Sequence, residues 1–515
     1  MRKGTMRALR GCAVAALMIA CDGGSGTDAG NMGFDAGPMV RFDAGPLRDA
    51  GPGGGTDAGP GMTDAGPDAG PGMTDAGPGN TDGGGGMDSG MMMTDAGTDA
   101  GAPDAGAPDA GPPALAVVEY AGGRVSSCAL LNDGSVKCWG LNDIGQTSEP
   151  MASSSTCLDR DGVTSLPCTP LPRTVVGLTG ITHISSGGDH TCALDSTGAV
   201  YCWGYNAIGQ LGRGSNDDLA HPAPAAVVLP GAATQIVAGR FHSCAIVGSG
   251  ATSTVYCWGL NNQGQLGSPT TGGTCTVGGS PVACRTTPAQ VAGLTGVAQV
   301  VAGRGHTCAR LSTGGVRCWG GNESGHLGIG TTDTAAHTSP EIVSITGVTR
   351  LGAGNEHTCA VLSSGTLSCW GQNDAGQLGT GSTTLSTCTL GTDTVPCALT
   401  PTAVAGLTGV TQVDGGDFFT CAVHGASAQS CWGVDTTSQL GQPGASIDCG
   451  GFNCARSPVL VTAATAVTTM SAGGSHVLSR TGGGPRAWGD NIMRQCGIGS
   501  AAATVNAPAA IMMLP

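Results

Sequence analysis

The sequence predicts an all-β protein: a seven-bladed β-propeller closed by its C-terminal strand and preceded by a long disordered linker. Three observations carry that prediction. All seven tryptophans fall in the dipeptide Trp-Gly, at Trp139, Trp203, Trp258, Trp319, Trp370, Trp432 and Trp488. Each ends one copy of a phrase that reads G-x-x-H-T-C-A-L…G-x-V-x-C-W-G-x-N-x-x-G-Q-L-G, and the copies lie 51 to 64 residues apart, the period of an array of small units. Within each copy, alternating apolar and small residues flank a Gly-bearing turn, which is the pattern of a β-hairpin.

The first 113 of the 515 residues stand apart from that array. Residues 1–20 resemble a secretory signal peptide: Arg2, Lys3, Arg7 and Arg10 make a positive start, and Gly11–Ala20 is a short apolar run. Ten apolar residues cannot cross a hydrocarbon layer of about 30 Å as a helix, so no permanent transmembrane helix is expected there. Leu17-Met18-Ile19-Ala20-Cys21 resembles a bacterial lipobox, which makes Cys21 the expected lipidation site and Cys12 part of the discarded leader. Simple secretion, with Cys21 incidental, is the alternative.

Residues 21–113 hold that cysteine and a linker in which Asp-Ala-Gly recurs twelve times. Large apolar side chains are scarce, so the segment cannot bury enough surface to offset its ordering entropy, and disorder is expected. Fifteen aspartates against Arg41 and Arg48 place most of the net charge of −15 here and leave −6 on residues 114–515. A flexible chain of this length spans roughly 55 Å, enough to lift a domain clear of a membrane surface. Met91, Met92 and Met93 are read as composition and not as a metal site.

From Ala114 onward every copy predicts the same elements. A strand such as Val300–Ala302 leads through Gly303 to His306-Thr307-Cys308-Ala309, a turn at Gly314, and a return strand through Cys318 to Trp319. N-x-x-G-Q-L-G follows, then a loop, then P-x-x-V-x-G-L-x-G-V, as in Pro401–Val410. Three or four strands per copy, seven times over, make the blades of a propeller; a solenoid is the alternative. The first copy has no P-x-x-V segment before it, and Pro508, Ile511 and Leu514 repeat the spacing of Pro288, Val291 and Leu294. The expectation is that the C-terminal tail supplies the missing strand of the first blade and closes the ring, removing two exposed sheet edges.

These residues carry a resemblance. The phrase is similar to the repeat of the regulator of chromosome condensation family, over about residues 115–515, and the family fold is a seven-bladed propeller. Sialidase-type Asp-box repeats resemble it more loosely, through Asn132-Asp133-Gly134…Trp139, but later copies lack the aspartate.

The repeats hold 21 of the 23 cysteines. Six pairs flank the hairpin turn: Cys128/Cys138, Cys192/Cys202, Cys244/Cys257, Cys308/Cys318, Cys359/Cys369 and Cys421/Cys431. Facing residues of an antiparallel hairpin lie within disulfide reach. In the seventh copy Leu478 and Ala487 replace both partners at once, as bonded residues require, and export makes oxidation possible. Reduced buried thiols are the alternative; a zinc site is not expected, since no C-x-x-C pair occurs. Four further pairs lie in loops of the first, third, fifth and sixth copies: Cys157/Cys168, Cys275/Cys284, Cys388/Cys397 and Cys449/Cys454. Equivalent loops of a propeller share one face, which these bridges would stiffen. Cys496 is left over and is expected to be a buried thiol.

Candidate chemistry is sparse. His190, His242, His306, His357 and His476 share one repeat position, and Ser126 and Phe419 occupy it elsewhere, so packing rather than catalysis is expected. The tryptophans read as core residues wedged between blades. Asp159 and Asp161 form a D-x-D-G fragment of a calcium loop without its downstream glutamate, and an ordinary loop is the preferred reading. No nucleophile motif, phosphate loop or H-E-x-x-H is present, so no catalytic residue, metal or cofactor is expected, and the protein is not read as an enzyme. The expected function is a lipid-anchored binding or adhesion module at the bacterial cell envelope or surface, taking a protein or polysaccharide on one propeller face. A secreted hydrolase inhibitor or enzyme on the same fold is the alternative. The resemblance also implies guanine-nucleotide exchange and chromatin association, which export, disulfides and the absence of a basic footprint argue against. Membrane contact through the anchor only, no nucleic acid and a monomeric state complete the expectation.

Overall fold

The computed structural model describes residues 114–515 apart from 152–154, 159–163, 278, 383–384, 391–392, 445 and 450. The expected signal peptide (1–20), Cys21, the expected linker (21–113) and the Asp159/Asp161 loop lie outside the described residues.

Seven antiparallel sheets follow one another along the chain, four with five strands and three with four. In blade one the inner strand is Val117–Gly122, the second Ser126–Leu131, the third Val136–Leu141 and the outer Ser165–Thr174. Ser155–Leu158 adds a fifth strand beyond the outer one. The same order recurs in each blade, and among the described residues only blades one, three, five and six carry the fifth strand. The inner strands line a central channel of about 580 Å³.

The repeated phrase is legible as packing. The second and third strands of every blade face each other with the cysteines directly paired, Cys128 opposite Cys138 and Cys359 opposite Cys369. In blade seven Leu478 faces Ala487 instead, both fully buried. The glycine after each tryptophan has positive φ, 108° at Gly140, and a Cβ there would lie 2.6 Å from the Val125 carbonyl. Only glycine lets the third strand bulge that close to the preceding turn. The prolines of P-x-x-V sit on the outer strands, where a missing N–H costs no ladder bond and blunts the exposed edge.

The tryptophans join blade to blade. Each indole N–H donates to a backbone carbonyl of the previous blade's G-Q-L-G turn, Trp203 to Gln146 and Trp258 to Gln210 among them, at 2.8–3.1 Å. All seven rings are fully buried.

One expectation is corrected. The C-terminal strand Thr504–Ala510 pairs with Gly484–Asp490, so it is the outer strand of blade seven, and blade one is complete without it. The P-x-x-V segment belongs to the copy before it, because the third strand returns through its own loop to pair locally. The ring nevertheless closes, and the seam between blades seven and one repeats the others. Trp139 donates to the Gln495 carbonyl (2.8 Å), and Gly474 N–H donates to the Gly123 carbonyl (3.0 Å). The tail contributes by packing: Ile511 joins the cluster that holds Trp139, and Lys137 Nζ donates to the Met513 carbonyl (3.1 Å). A solenoid has no such seam.

Candidate binding face

The two faces of the disc differ. The turn between inner and second strands, Gly123–Val125 in blade one, lies beside the end of the third strand, since Leu141 N–H donates to the Val125 carbonyl (3.0 Å). Leu141 faces Cys168 on the outer strand, and Leu260, Gln372 and Val434 face Cys284, Cys397 and Cys454 in the same way. The disulfide-clipped hairpins therefore rise from the same face as these turns. The opposite face carries the hairpin turns between second and third strands. There Ala116 N–H donates to Asn132 Oδ1 (3.0 Å) and Asn132 Nδ2 to the Ala114 carbonyl (3.1 Å), so the chain enters the disc on that side.

All ten expected disulfides are present. In the blade hairpins Cys128–Cys138, Cys192–Cys202, Cys244–Cys257, Cys308–Cys318, Cys359–Cys369 and Cys421–Cys431 hold their Cα atoms 4.1 Å apart. In the clips Cys157–Cys168, Cys275–Cys284, Cys388–Cys397 and Cys449–Cys454 hold theirs 5.7–5.8 Å apart.

The six hairpin bridges are not identical in their surroundings, as a strict repeat would have them. Cys257 lies 13 residues beyond its partner, because a 3-10 turn, Gly250–Thr252, lengthens the connection; the strands still bring Cys244 directly opposite Cys257. Cys431 has a polar neighbour where the other five bridged hairpins have a valine or leucine: Gln429, fully buried, points its Nε2 at Cys431 Sγ (3.9 Å). The same Gln429 accepts from Ser479 Oγ of blade seven through its Oε1 (2.7 Å), which satisfies the amide inside the core. Cys496 is free and buried, and its Sγ lies 3.3 Å from the Asp490 carbonyl; burial pushes the thiol well above its ordinary value.

At the centre of the clipped face the channel mouth is a rigid ring. Seven backbone hydrogen bonds run around it, from Arg124 to Gly187, Gly188 to Arg240, Arg240 to Gly303, Arg304 to Asn355, Asn355 to Gly416, Asp417 to Gly474 and Gly474 to Gly123. Each blade thus places one residue at a fixed point, Arg124, Gly188, Arg240, Arg304, Asn355, Asp417 and Gly474 in order, so that five of the seven offer a side chain there. The next residue forms a crest that includes Asp189, Phe241, Glu356 and Phe418.

This ring breaks the sevenfold repeat. Arg240 Nη1 reaches from blade three to Asp417 Oδ2 of blade six at 4.0 Å, across the mouth, while Asn355 Nδ2 donates to the other Asp417 oxygen at 2.7 Å. Arg304 pairs with Glu356 (3.4 Å), which also takes His326 Nδ1 (3.2 Å). His326 stands where other copies have the Gln of G-Q-L-G, and its ring lies 4.7 Å from that of His306. Burial lowers the His326 pKa, opposed by the Glu356 charge. Burial likewise lowers Arg240 to about 10, with Asp417 opposing and the charges of Arg124 and Arg304 adding to the fall. Deeper in the channel Asp414 accepts from Ala472 N–H (2.9 Å), and burial raises its carboxyl to about 6 against that hydrogen bond.

The five repeated histidines do not reach this site. Each Nε2 meets a hydroxyl of the next blade at 2.7–2.9 Å, His190 with Ser243 and His357 with Thr420 among them. Among the described residues no group of three or more His, Cys, Asp or Glu is placed to hold a metal, and no helix is long and apolar enough to cross a membrane. The mouth residues Arg124, Arg240, Arg304 and Asp417 were not singled out from the sequence. Aligning the seven copies would have exposed them as a column, Arg124, Gly188, Arg240, Arg304, Asn355, Asp417 and Gly474, in which charged residues and glycine replace one another.

A disc of seven sheets, six of them disulfide-stapled, joined by tryptophan-to-carbonyl seams and presenting a charged mouth on one face, defines a propeller of the regulator of chromosome condensation type. The chain belongs to the RCC1-like domain family: the RCC1-like domain matches residues 85–389, and the regulator of chromosome condensation (RCC1) repeat matches 364–423. It is similar to the ultraviolet-B receptor UVR8 of Arabidopsis thaliana, 29% identical over 394 residues, which cover 74% of this chain and 79% of the receptor. It is 30% identical over 278 residues to the E3 ubiquitin-protein ligase HERC2 of Homo sapiens, over 52% of this chain and only 5% of the ligase. Among solved structures, Prp20p of Saccharomyces cerevisiae superposes with a TM-score of 0.60 at 20% identity, covering 76% of this chain and 87% of Prp20p. Human WBSCR16 superposes at 0.59 and 20% identity, covering 74% and 94%. At that identity the likeness is one of fold.

Proposed function

We propose that this chain is an exported, lipid-anchored module that binds a protein on its clipped face, and that it acts by binding rather than by catalysis. One observation carries the reading. Four separately clipped hairpins surround a charged mouth on one face, while the chain enters from the other, at Ala114. Stiffened loops lose less entropy on docking than free ones, so clipping favours recognition. An anchor at Cys21 would leave that face turned away from the attachment. Protein binding is a property of structural relatives: Prp20p has binding properties towards Gsp1p and histones, and Kap60 binds yeast RCC1 (Prp20).

The test places a photo-crosslinking residue at Ser280 on a clip or at Ser135 on the opposite hairpin face, in the full chain on intact cells. A discrete protein adduct from Ser280 and none from Ser135 is expected. Adducts from Ser135 alone, or polysaccharide at Ser280, would remove the reading. In parallel, a fatty-acid probe should label the wild type and spare Cys21→Ser; equal labelling ends the anchor.

A further inference from the structure

We propose that the mouth on the clipped face receives a carboxylate side chain from a protruding acidic loop of the protein partner, held between Arg124 and Arg240. This deepens the binding reading and rests on it.

The argument starts from unsatisfied donors. Arg240 is only 20% exposed, yet its Nε is buried without a hydrogen-bond partner, and its single ion pair is the 4.0 Å contact with Asp417. A guanidinium carries five donors in a planar fork, and desolvating it without acceptors is costly. Arg213 shares a buried, unpartnered Nε, but its Nη2 donates to two backbone carbonyls, those of Cys202 and Ala223, whereas the Arg240 guanidinium makes no hydrogen bond among the described residues. Arg124, one place along the ring from Gly188, has no ion-pair partner among the described residues. Its stem lies over Gly474, whose Cβ would come within 3.2 Å of Arg124 Cγ, and Arg124 lines the channel. Arg240 lies over Gly188 in the same way, 3.2 Å from a Cβ built there. The two glycines of the ring are thus the places where both arginines pack closest, since a Cβ would lie 2.9 Å from the Arg124 carbonyl at Gly474 and 2.5 Å from the Arg240 carbonyl at Gly188. Arg124 and Arg304 each press their charge on Arg240, and an incoming anion would relieve that crowding.

The geometry also selects among anions. A carboxylate is planar and accepts two parallel N–H bonds, which matches a guanidinium fork. A long polyanion fits poorly, because Asp189, Glu356 and Asp417 share the rim with the arginines and would repel its neighbouring charges. The half-buried Phe241, with Arg240 5.3 Å from its ring centroid, offers apolar contact to the stem of an inserted side chain. Arginine and aromatic residues at the centre of a concave patch are the composition of interface hot spots.

The experiment titrates the full chain with a fluorescent cyclic peptide carrying two glutamates, with its glutamine counterpart, and with heparin. The wild type should bind the glutamate peptide more tightly than the glutamine peptide, with affinity falling as salt rises. R124Q and R240Q should each weaken it by roughly tenfold or more, the scale of a charge-assisted hydrogen bond. R173Q, on the exposed outer strand of blade one, should leave it unchanged. R124Q breaks no ion pair of the described fold, so it remains informative even where R240Q fails to fold, and melting curves identify that case. Equal binding of both peptides, tighter binding of heparin, or R124Q indistinguishable from wild type would overturn the proposal. A Ser280 adduct that survives R124Q would overturn it while leaving the binding module intact. The absence of any Ser280 adduct would instead remove the module itself.

Discussion

The repeated histidines show how one residue type can be fixed in one protonation state. The Ser or Thr hydroxyl that each meets donates its single proton to the carbonyl that also accepts the tryptophan N–H, as Thr420 does to Gln377 (2.8 Å). The histidine must then be the donor through Nε2, and Nδ1 is left with no partner, as at His190, His242, His306, His357 and His476. Charging Nδ1 would bury an unpaired cation, so burial lowers His357 to about 4 and His476 to about 3. A lowered folded-state pKa means stability that is present above the ordinary value of about 6.5 and is lost as pH falls towards 4 and 3. For His357 alone that is on the order of 3 kcal/mol. Asp414 has the opposite sign: its raised pKa, about 6, gives stability below the ordinary carboxylate range that is lost as pH rises through 6. The chain contains its own control, because Phe419 takes the histidine place and Val477, the next blade's residue there, lacks the hydroxyl. Copying that pair as His357→Phe with Thr420→Val should flatten the fall in melting temperature between pH 7 and 4. An unchanged slope would mean that the histidines are not the acid-sensitive groups.

At the scale of one element, the two kinds of bridge do different work. Cys359–Cys369 sits inside the second and third strands of blade five, nearly inaccessible, where it ties strands that carry the core. Cys388–Cys397 clips Ser386–Leu390 to the outer strand at the rim of the same blade. Closing a loop of about ten residues stabilises by roughly 2–3 kcal/mol on the chain-entropy account. Only the first loss should reach the whole domain. Replacing Cys359 and Cys369 by serine should lower the melting temperature by several degrees. Replacing Cys388 and Cys397 should leave it nearly unchanged and make residues 386–397 the first site of protease cleavage. Equal falls in both variants would show that the clips support the fold and not the local loop.

Across the whole molecule, stability depends on seven equivalent seams, and a ring with one broken seam exposes two blade faces. The seam between blades seven and one joins the last described blade to the first. Ile511 lies 4% exposed against the cluster of Trp139, and the strand before it covers the third strand of blade seven. Burying one such isoleucine contributes about 1.5–3 kcal/mol. Deleting residues 504–515 should therefore lower the melting temperature and promote self-association through the uncovered edge of Gly484–Asp490. Calorimetry and sedimentation check both effects. A truncated chain that melts like the wild type would show that blade seven does not need its outer strand and that the tail does not secure the seam.

The sequence by itself determined the number of blades, the hairpin pairing of the second and third strands and every disulfide partner. Those features are local: Cys308 and Cys318 face each other because a tight turn sets the register of the strands on either side. Even the longer connection before Cys257 leaves that register intact, since the added residues stay in the turn. The buried amide beside Cys431 was not legible in the same way, because its partner, Ser479, comes from the neighbouring blade. Periodicity carries no phase, so Pro508, Ile511 and Leu514 could be read as completing blade one when they complete blade seven. Only strand pairing distinguishes the two, since both place the same spacing in the same array. The channel mouth was out of reach for a related reason. Arg240 and Asp417 are brought within 4.0 Å by the curvature of the ring, which sums the rotation of three successive seams. The charge of each blade was written in the chain, but which charges oppose one another, and that the buried Arg240 Nε is left without an acceptor, was decided when the ring closed.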